Sequence, residues 1–287
     1  SDAAAVSTID WAICAAGLRT VKQKFSANAE IVDICNELLN RPMWEESIHT
    51  NTNDSYRLGR ISKGLNATNG AKNGQVWADA FSEETEIIYL EALASGKVNN
   101  LDLDRIYREQ KNGYYVSWFG SGFTYNWLQL WTGAIDPYKT NSVAAFTADA
   151  ATSQSKFNMP VIGLTACGTL SNTESNGFIS WNRYIGNQGS SVSGANSNEV
   201  IQLSPAPYGA ALSLPFTPLQ AIQAFRYYIA LGSYHPLLGL PDNIRINDLP
   251  QNLDVPVPNW NSYDINIGPI AMAIDQYQQS VIANFYR

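Results

Sequence analysis

The chain has 287 residues, enough for one large domain or two small ones and for a core that needs no staples. Charged residues make up 15% of it, against about 25% in an average soluble protein, and 18 Lys and Arg against 25 Asp and Glu give a net charge of −7. That balance argues against nucleic acid and against polybasic attachment to a membrane, and no apolar run approaches the ~20 residues of a bilayer-spanning helix.

The chain opens without an initiator Met or a basic-then-apolar leader, the pattern of a processed or excised product. Cys14, Cys35 and Cys167 are too few and too scattered for a disulfide framework or a zinc ribbon. Cys14 and Cys35 either face each other across adjacent helices or are buried free thiols. His49 and His235 have no Cys/His cluster around them, so no structural zinc site is expected, and no organic cofactor either. Low charge, 11% aromatics and abundant Asn, Ser and Tyr resemble an exported protein, secreted or held at the cell surface. Asn53-Asp-Ser and Asn66-Ala-Thr fit the glycosylation acceptor pattern.

In chain order, Ser7-Thr-Ile-Asp10 is a capping box that opens a helix with Ile9, Ala12, Ile13 and Ala16 on one face, weakening at Gly17. A second helix from about Ala29 turns Ile31, Ile34, Cys35, Leu38 and Leu39 inward and stops before Pro42. Residues 41–80, polar and full of Asn and Gly, read as a long surface excursion. Ser82 caps a third helix carrying Ile87, Ile88, Leu90 and Leu93, which ends near Ser95-Gly96. A short helix around Leu101–Glu109 leads into a strand, Tyr114-Tyr-Val-Ser-Trp-Phe119. Gly120-Ser-Gly122 then precedes an aromatic helix through Trp127 and Trp131, and residues 141–156 form an alanine-rich helix.

Residues 167–198 are Gly-, Ser- and Asn-rich and read as a long loop, of the kind that is usually functional or mobile. Thr217-Pro-Leu-Gln220 starts a helix with Pro at its first position and a Thr-x-x-Gln box, and its apolar stripe is Ile222, Phe225 and Ile229. Pro-rich loops fill 236–260. The last helix starts at Gly268-Pro269 and buries Ile270, Ile274, Tyr277, Val281 and Phe285. About eight helices, few strands and no linker predict a mainly α single domain over residues 1–287.

No Gly-x-Gly-x-x-Gly, Walker-type or Gly-x-Ser-x-Gly motif is present, and two histidines in polar loops leave little for a Ser-His-Asp triad. What remains is carboxylates and aromatic rings, the ingredients of glycoside chemistry: paired acids around the scissile bond and flat rings for sugar faces. The acids near helix starts are Asp10, Glu83, Glu84 and Asp242. Each also has a structural reading: Asp10 as a cap, Glu83 and Glu84 as first-turn charges that offset the helix dipole. Trp118, Trp127 and Trp131 are either core or sugar platform.

Seven segments, in one order, resemble the glucoamylase-like proteins grouped with the endo-β-1,2-glucanases of glycoside hydrolase family 144. They are Val6-Ser-Thr-Ile-Asp10; Phe81-Ser-Glu-Glu84 with Ile87-Ile-Tyr-Leu90; Phe119-Gly-Ser-Gly-Phe-Thr124 with Trp131; Ile162-Gly-Leu-Thr-Ala166; Ala206-Pro207 through Ser213-Leu-Pro-Phe-Thr-Pro218; Leu238-Gly-Leu-Pro-Asp242; and Ile265-Asn-Ile-Gly-Pro-Ile270 with Asp275-Gln-Tyr277. The resemblance implies an (α/α)6 toroid whose central cleft holds a glucan. It also implies that Glu84, then Asp10, then Asp242 are the catalytic or hydroxyl-binding acids. Substrate contacts would fall on Trp118, Tyr125, Trp127, Trp131 and Asn266.

The chain departs from the family pattern at several cleft positions. Asn266-Ile267 stand where the family has Asp-Gln, Tyr125-Asn126 replace His-Gln, Leu128-Gln129 replace Ser-His, and Cys167-Gly168 replace a polar pair, losing an acid. An Asn cannot act as the general base an Asp would be, and Leu128 or Ile267 cannot bond a hydroxyl. A twelve-helix toroid also exceeds the eight helices visible. Its first helices are therefore expected to be cut off, supplied by another polypeptide or lost, with a partner chain or homo-oligomer completing the barrel.

The implied activity is hydrolysis of a β-glucan (β-1,2-glucan or a related oligosaccharide) by carboxylate acid/base catalysis with inversion, which needs carboxyls ~6.5–9.5 Å apart. The alternative is a catalytically inactive relative that serves as a carbohydrate-binding or structural subunit of an extracellular assembly. A third reading is a protein–protein adaptor with no sugar role.

Overall fold

The computed structural model describes residues 5–78, 83–98, 101, 106, 108–111, 113–116, 121–134, 136–159, 162, 163, 165, 167–169, 183–185, 205–245, 257–260, 264–279 and 281–286. The short helix expected at Leu101–Glu109, and most of the loop at 167–198, lie outside them. The chain is mainly helical and forms two compact units, Ser1–Arg108 with Val281–Arg287, and Glu109–Ser280. None of its described helices is long and apolar enough to cross a membrane.

In the first unit, α1 (Thr8–Lys24) is capped as its sequence predicts: the Asp10 amide donates to Ser7 Oγ at 3.4 Å. Gly17 does not end it; the helix continues for two more turns. It packs against α2 (Ala29–Leu39), α4 (Glu83–Ala94) and α10 (Val281–Tyr286), burying Ala12, Ala15 and Ala16, side chains small enough for close axes. α2 is capped by Asn28, whose Oδ1 accepts from the Ile31 amide at 3.2 Å. It buries only Cys35 fully, and Ile34 is exposed rather than inward. All three cysteines are free thiols, Cys14 exposed and Cys35 and Cys167 buried.

Residues 41–80 are not the surface excursion their composition predicts. They contain α3 (Trp44–Ser47) and β2 (Gly64–Asn66), which pairs antiparallel with β1 (Ala5–Ser7). Trp44, Ile61, Val76 and Trp77 are buried. The Thr8 hydroxyl donates to the Ser62 carbonyl at 2.8 Å and accepts from Trp77 Nε1 at 2.8 Å. Tyr89 of α4 reaches the same segment: its hydroxyl donates to the Trp77 carbonyl at 3.2 Å and accepts from the Ile61 amide at 3.4 Å. A few well-placed apolar residues outweigh the turn-forming majority around them.

Deeper along the same helices, Arg19 Nε donates to Glu91 Oε2 at 2.7 Å and the Tyr286 hydroxyl donates to Glu91 Oε1 at 2.8 Å, tying α1, α4 and α10 together. The Glu91 side chain is 0% exposed. Along α1 the links run from Thr8 to Arg19, and along α4 from Tyr89 to Glu91.

In the second unit, β3 (Gln110–Lys111) and β4 (Tyr114–Tyr115) form a small antiparallel pair; of the strand expected over 114–119, Val116 is outside it and residues 117–119 lie outside the described residues. A 3-10 turn, Gly122–Tyr125, leads into α5 (Trp127–Thr132), and α6 (Tyr138–Phe157) follows. Two further antiparallel pairs, β5 (Cys167–Thr169) with β6 (Arg183–Ile185) and β7 (Asn243–Arg245) with β8 (Val257–Asn259), lie in segments read as loops. α7 (Pro207–Ser213), also missed as a helix, is buried at every residue and packs against α6, α8 (Pro218–Ala230) and α9 (Asp264–Gln278).

Ile162, Gly163 and Thr165 are bonded from several sides. The Gly163 amide donates to Asp149 Oδ2 at 3.1 Å, and the Tyr228 hydroxyl donates to the Ile162 carbonyl at 2.6 Å. Thr165 Oγ1 accepts from the Phe123 amide at 3.1 Å and lies 3.2 Å from Ser121 Oγ and 3.1 Å from the Tyr208 hydroxyl. Gly163 has φ +140°, and a Cβ there would sit 2.5 Å from the Ala206 carbonyl oxygen, so only glycine fits.

Two helices keep the predicted period but shift its phase by one residue. α8 buries Ala221, Ala224 and Tyr228, not Ile222, Phe225 and Ile229; α9 buries Pro269, Ala273 and Gln276, not Ile270, Ile274 and Tyr277. The crowded faces take small residues, and the large aliphatics turn outward, Leu219 to 83% exposure. α9 also starts at Asp264, ahead of Gly268-Pro269. The Thr217 hydroxyl donates to the Ser213 carbonyl at 3.4 Å, so the box expected at the start of α8 does not form. Past α8, His235 closes a tight turn: it exchanges main-chain bonds with Gly239, and its Nδ1 accepts from the Leu237 and Leu238 amides at 3.2 Å each.

Two predictions follow from these buried groups. Glu91→Ala leaves the Arg19 charge and the Tyr286 hydroxyl without their acceptor, and is expected to lower unfolding free energy by about 3 kcal/mol in denaturant titrations. Burial, then the Glu91 carboxylate, push the Tyr286 phenol above its usual range, and burial, then Asp149, do the same for Tyr228. Both folded-state values lie above the unfolded value, so their contribution is complete below about pH 10 and is lost as pH rises beyond it. The expected slope is about 1.4 kcal/mol per pH unit for each phenol, and Tyr228→Phe removes one share.

Candidate active site

The acids the sequence singles out are distributed over both units. Asp10 lies in the first turn of α1 and is exposed. Glu84 is the second residue of α4; its backbone is helical and its side chain lies outside the description. α1 and α4, whose first turns carry Asp10 and Glu83 and Glu84 respectively, pack against each other within the first unit. Asp242 belongs to the second unit, where it is 3% exposed immediately before β7.

Sequence reasoning missed what surrounds the start of α1. Trp77 is held there through Thr8, and Lys63 Nζ stands 4.6 Å from the Trp77 ring centroid. This cation and aromatic ring come from the segment dismissed as a polar excursion. The signal available was the spacing of Ile61, Val76 and Trp77, too sparse for either a strand or a helix pattern.

Three of the residues expected on sugar are core. Tyr125, Trp127 and Trp131 are 2%, 5% and 7% exposed, so none offers an open ring face. Tyr125 meets Tyr114 edge-on at 6.3 Å, and Trp127 meets Phe123 at 6.4 Å. The reason is local: the 3-10 turn and α5 are buried at every residue from Gly122 to Trp131. Trp118 and the side chain of Asn266 lie outside the described residues.

Of the residues that depart from the family pattern, Tyr125, Asn126, Leu128, Gln129 and Cys167 serve the interior, whereas Ile267 is exposed. Asn126 Nδ2 donates to the Leu212 carbonyl at 2.7 Å, and Gln129 Nε2 donates to Ser142 Oγ at 2.8 Å and to the Tyr125 carbonyl at 3.1 Å. Leu128 and Cys167 are buried apolar groups. Among the described residues no cluster of His, Cys, Asp and Glu could hold a metal ion.

The sequence matches no protein-family model and no curated protein. Solved structures do match. An endo-β-1,2-glucanase from Chitinophaga pinensis, in complex with sophorotriose and glucose, superposes with a TM-score of 0.71 at 14% identity, covering 98% of this chain and 68% of that one. A protein assigned as a glucoamylase from Bacteroides caccae gives 0.70 at 15% identity, again over 98% and 68%. An endo-β-1,2-glucanase from Talaromyces funiculosus, in complex with sophorose, gives 0.68 at 12% identity over 98% and 59%. The chain therefore has the glucoamylase-like α/α-toroid fold of these proteins, and the rest of each of them has no counterpart in it.

Because their rings are core, Trp127→Ala and Trp131→Ala are each expected to lower unfolding free energy by about 3–5 kcal/mol, measured by chemical denaturation. A sugar platform would instead lose glucan affinity at unchanged stability.

Proposed function

We propose that this chain is a glycoside hydrolase-like protein acting on a β-glucan, β-1,2-glucan or a related oligosaccharide, by carboxylate acid/base chemistry. The observation that carries the reading is the packing of α1 against α4, with Asp10 in the first turn of one helix and Glu83 and Glu84 in the first turn of the other. The fold supports the substrate class: the Chitinophaga pinensis enzyme holds sophorotriose and glucose, and a Glu-to-Gln variant of the Talaromyces funiculosus enzyme holds β-1,2-glucan.

In this reading Glu84 is the essential acid and Asp10 its partner, with Asp242 third, as a catalytic or a hydroxyl-binding group. One carboxyl group protonates the leaving oxygen while the other, ionised, takes a proton from the attacking water. Attack by water on the opposite face of the sugar inverts the anomeric centre. Lys63 beside Trp77 adds a positive charge near the start of α1.

A second reading is a catalytically inactive, carbohydrate-binding or structural subunit of an extracellular assembly. Two observations favour it. Tyr125, Leu128 and Gln129 are committed to the interior, and Leu219, Ile222 and Ile229 on α8 and Ile267, Ile274 and Tyr277 on α9 face outward. In this reading a partner chain or a second copy covers those outward side chains.

Reducing-end release from a panel of glucans, β-1,2-glucan included, separates the two. The hydrolase reading expects release by the native chain and a loss of about 10²–10⁴-fold in Glu84→Gln and in Asp10→Asn, with folding unchanged by circular dichroism. Release that persists in both variants sinks the site assignment. No release from any glucan by the folded protein leaves the subunit reading.

A further inference from the structure

Beside the start of α1, within the first unit, lies a cavity of about 540 Å³, in the size range of small-molecule sites. Its wall is built from Val6, Trp11, Leu38, Met43, Trp44 and Leu65, contributed by β1, α1, the end of α2, α3 and β2. None of this wall belongs to a cluster of acids, and Asp10 is not part of it.

Apart from Trp11 Nε1, which is buried without a hydrogen-bond partner, polar side chains of the lining are already engaged. Ser7 Oγ accepts from the Asp10 amide at 3.4 Å, and the Ser47 hydroxyl donates to the Trp44 carbonyl at 2.6 Å. Asn66 Oδ1 accepts from the Thr68 and Asn69 amides at 2.9 and 3.2 Å. Arg41 reaches Glu37 at 2.6 Å, and both of those side chains are exposed. A sugar placed here would bring many hydroxyls and find few free partners, at a cost for each one left unbonded. Water in such a space is poorly bonded for the same reason, so an apolar group that displaces it gains affinity.

We propose that this cavity is a binding site for a small amphiphile whose alkyl or aryl body packs against Trp11, Trp44, Leu38 and Leu65. A single polar head stays at the level of Arg41. The argument is independent of the glucan reading and stands whichever acids are catalytic. The linear 1-alkanols from butanol to octanol are the probes, titrated calorimetrically against the full chain, with glucose as the polar comparator.

The dissociation constant is expected to fall by about fourfold for each added methylene that the cavity buries. The heat-capacity change becomes more negative along the series, the mark of apolar burial. Ala67→Trp, at the lining, and Met43→Asp, at an exposed lining position, are expected to abolish the chain-length dependence while circular dichroism and the unfolding midpoint stay as in the native chain. Affinity that does not change with chain length overturns the proposal. So does an unchanged series in both folded variants, or glucose that binds as tightly as octanol.

Discussion

Three residues outside helix and strand, Ile162, Gly163 and Thr165, organise the second unit. A main chain buried outside regular structure must find partners for its polar groups: the Gly163 amide donates to Asp149 of α6 and the Ile162 carbonyl accepts from Tyr228 of α8, while the side-chain hydroxyl of Thr165 meets Tyr208 of α7 and the turn before α5. A segment of backbone is thus solvated by its neighbours in place of water, which fixes the positions of those neighbours. Gly163 tightens the arrangement further, since a methyl group would meet the Ala206 carbonyl and the Tyr228 hydroxyl. Three of the sequence segments that resemble the glucoamylase-like proteins, those around Ser121, Thr165 and Tyr208, meet at this one threonine hydroxyl. Their first role in this chain is architectural.

The first unit has a different organising element with a similar logic. Glu91 is a charge removed from water and answered by one guanidinium and one phenol. Small alanines bring α1 close to its neighbours, and Glu91 fixes how far along one another they sit. The packing of α1 on α4 is thus tied at residues well removed from the acids in their first turns.

How much of this was legible follows from the type of signal each element carries. The Ser7 cap and the Asn28–Leu39 helix are local: a side-chain oxygen, a period, a stop before proline. Helix period was legible on α8 and α9 as well, but the phase was not. Ranking residues by hydrophobicity assigns Ile222 and Ile274 inward, whereas close axes select Ala221 and Ala273, and the helix both pack against, α7, carries no periodic signal of its own. α7 is short, wholly buried and rich in glycine and alanine, so no periodicity marks it. The hairpins β5–β6 and β7–β8 depend on pairing across intervening chain, which glycine, serine and proline content conceals. At the site, the acids at 10 and 84 were legible because they stand at helix starts. The Trp127 and Trp131 rings could be core or platform, and only tertiary packing decides for core.

The turn closed by His235 has a consequence for the proton on that ring. Two amides, those of Leu237 and Leu238, point at Nδ1, so that nitrogen must hold a lone pair and the hydrogen of the neutral imidazole sits on Nε2. The tautomer is set by the main chain. Of the two histidines in this protein, this one has its basic nitrogen occupied by its own loop. A substrate arriving nearby would meet an N–H donor there, and no base.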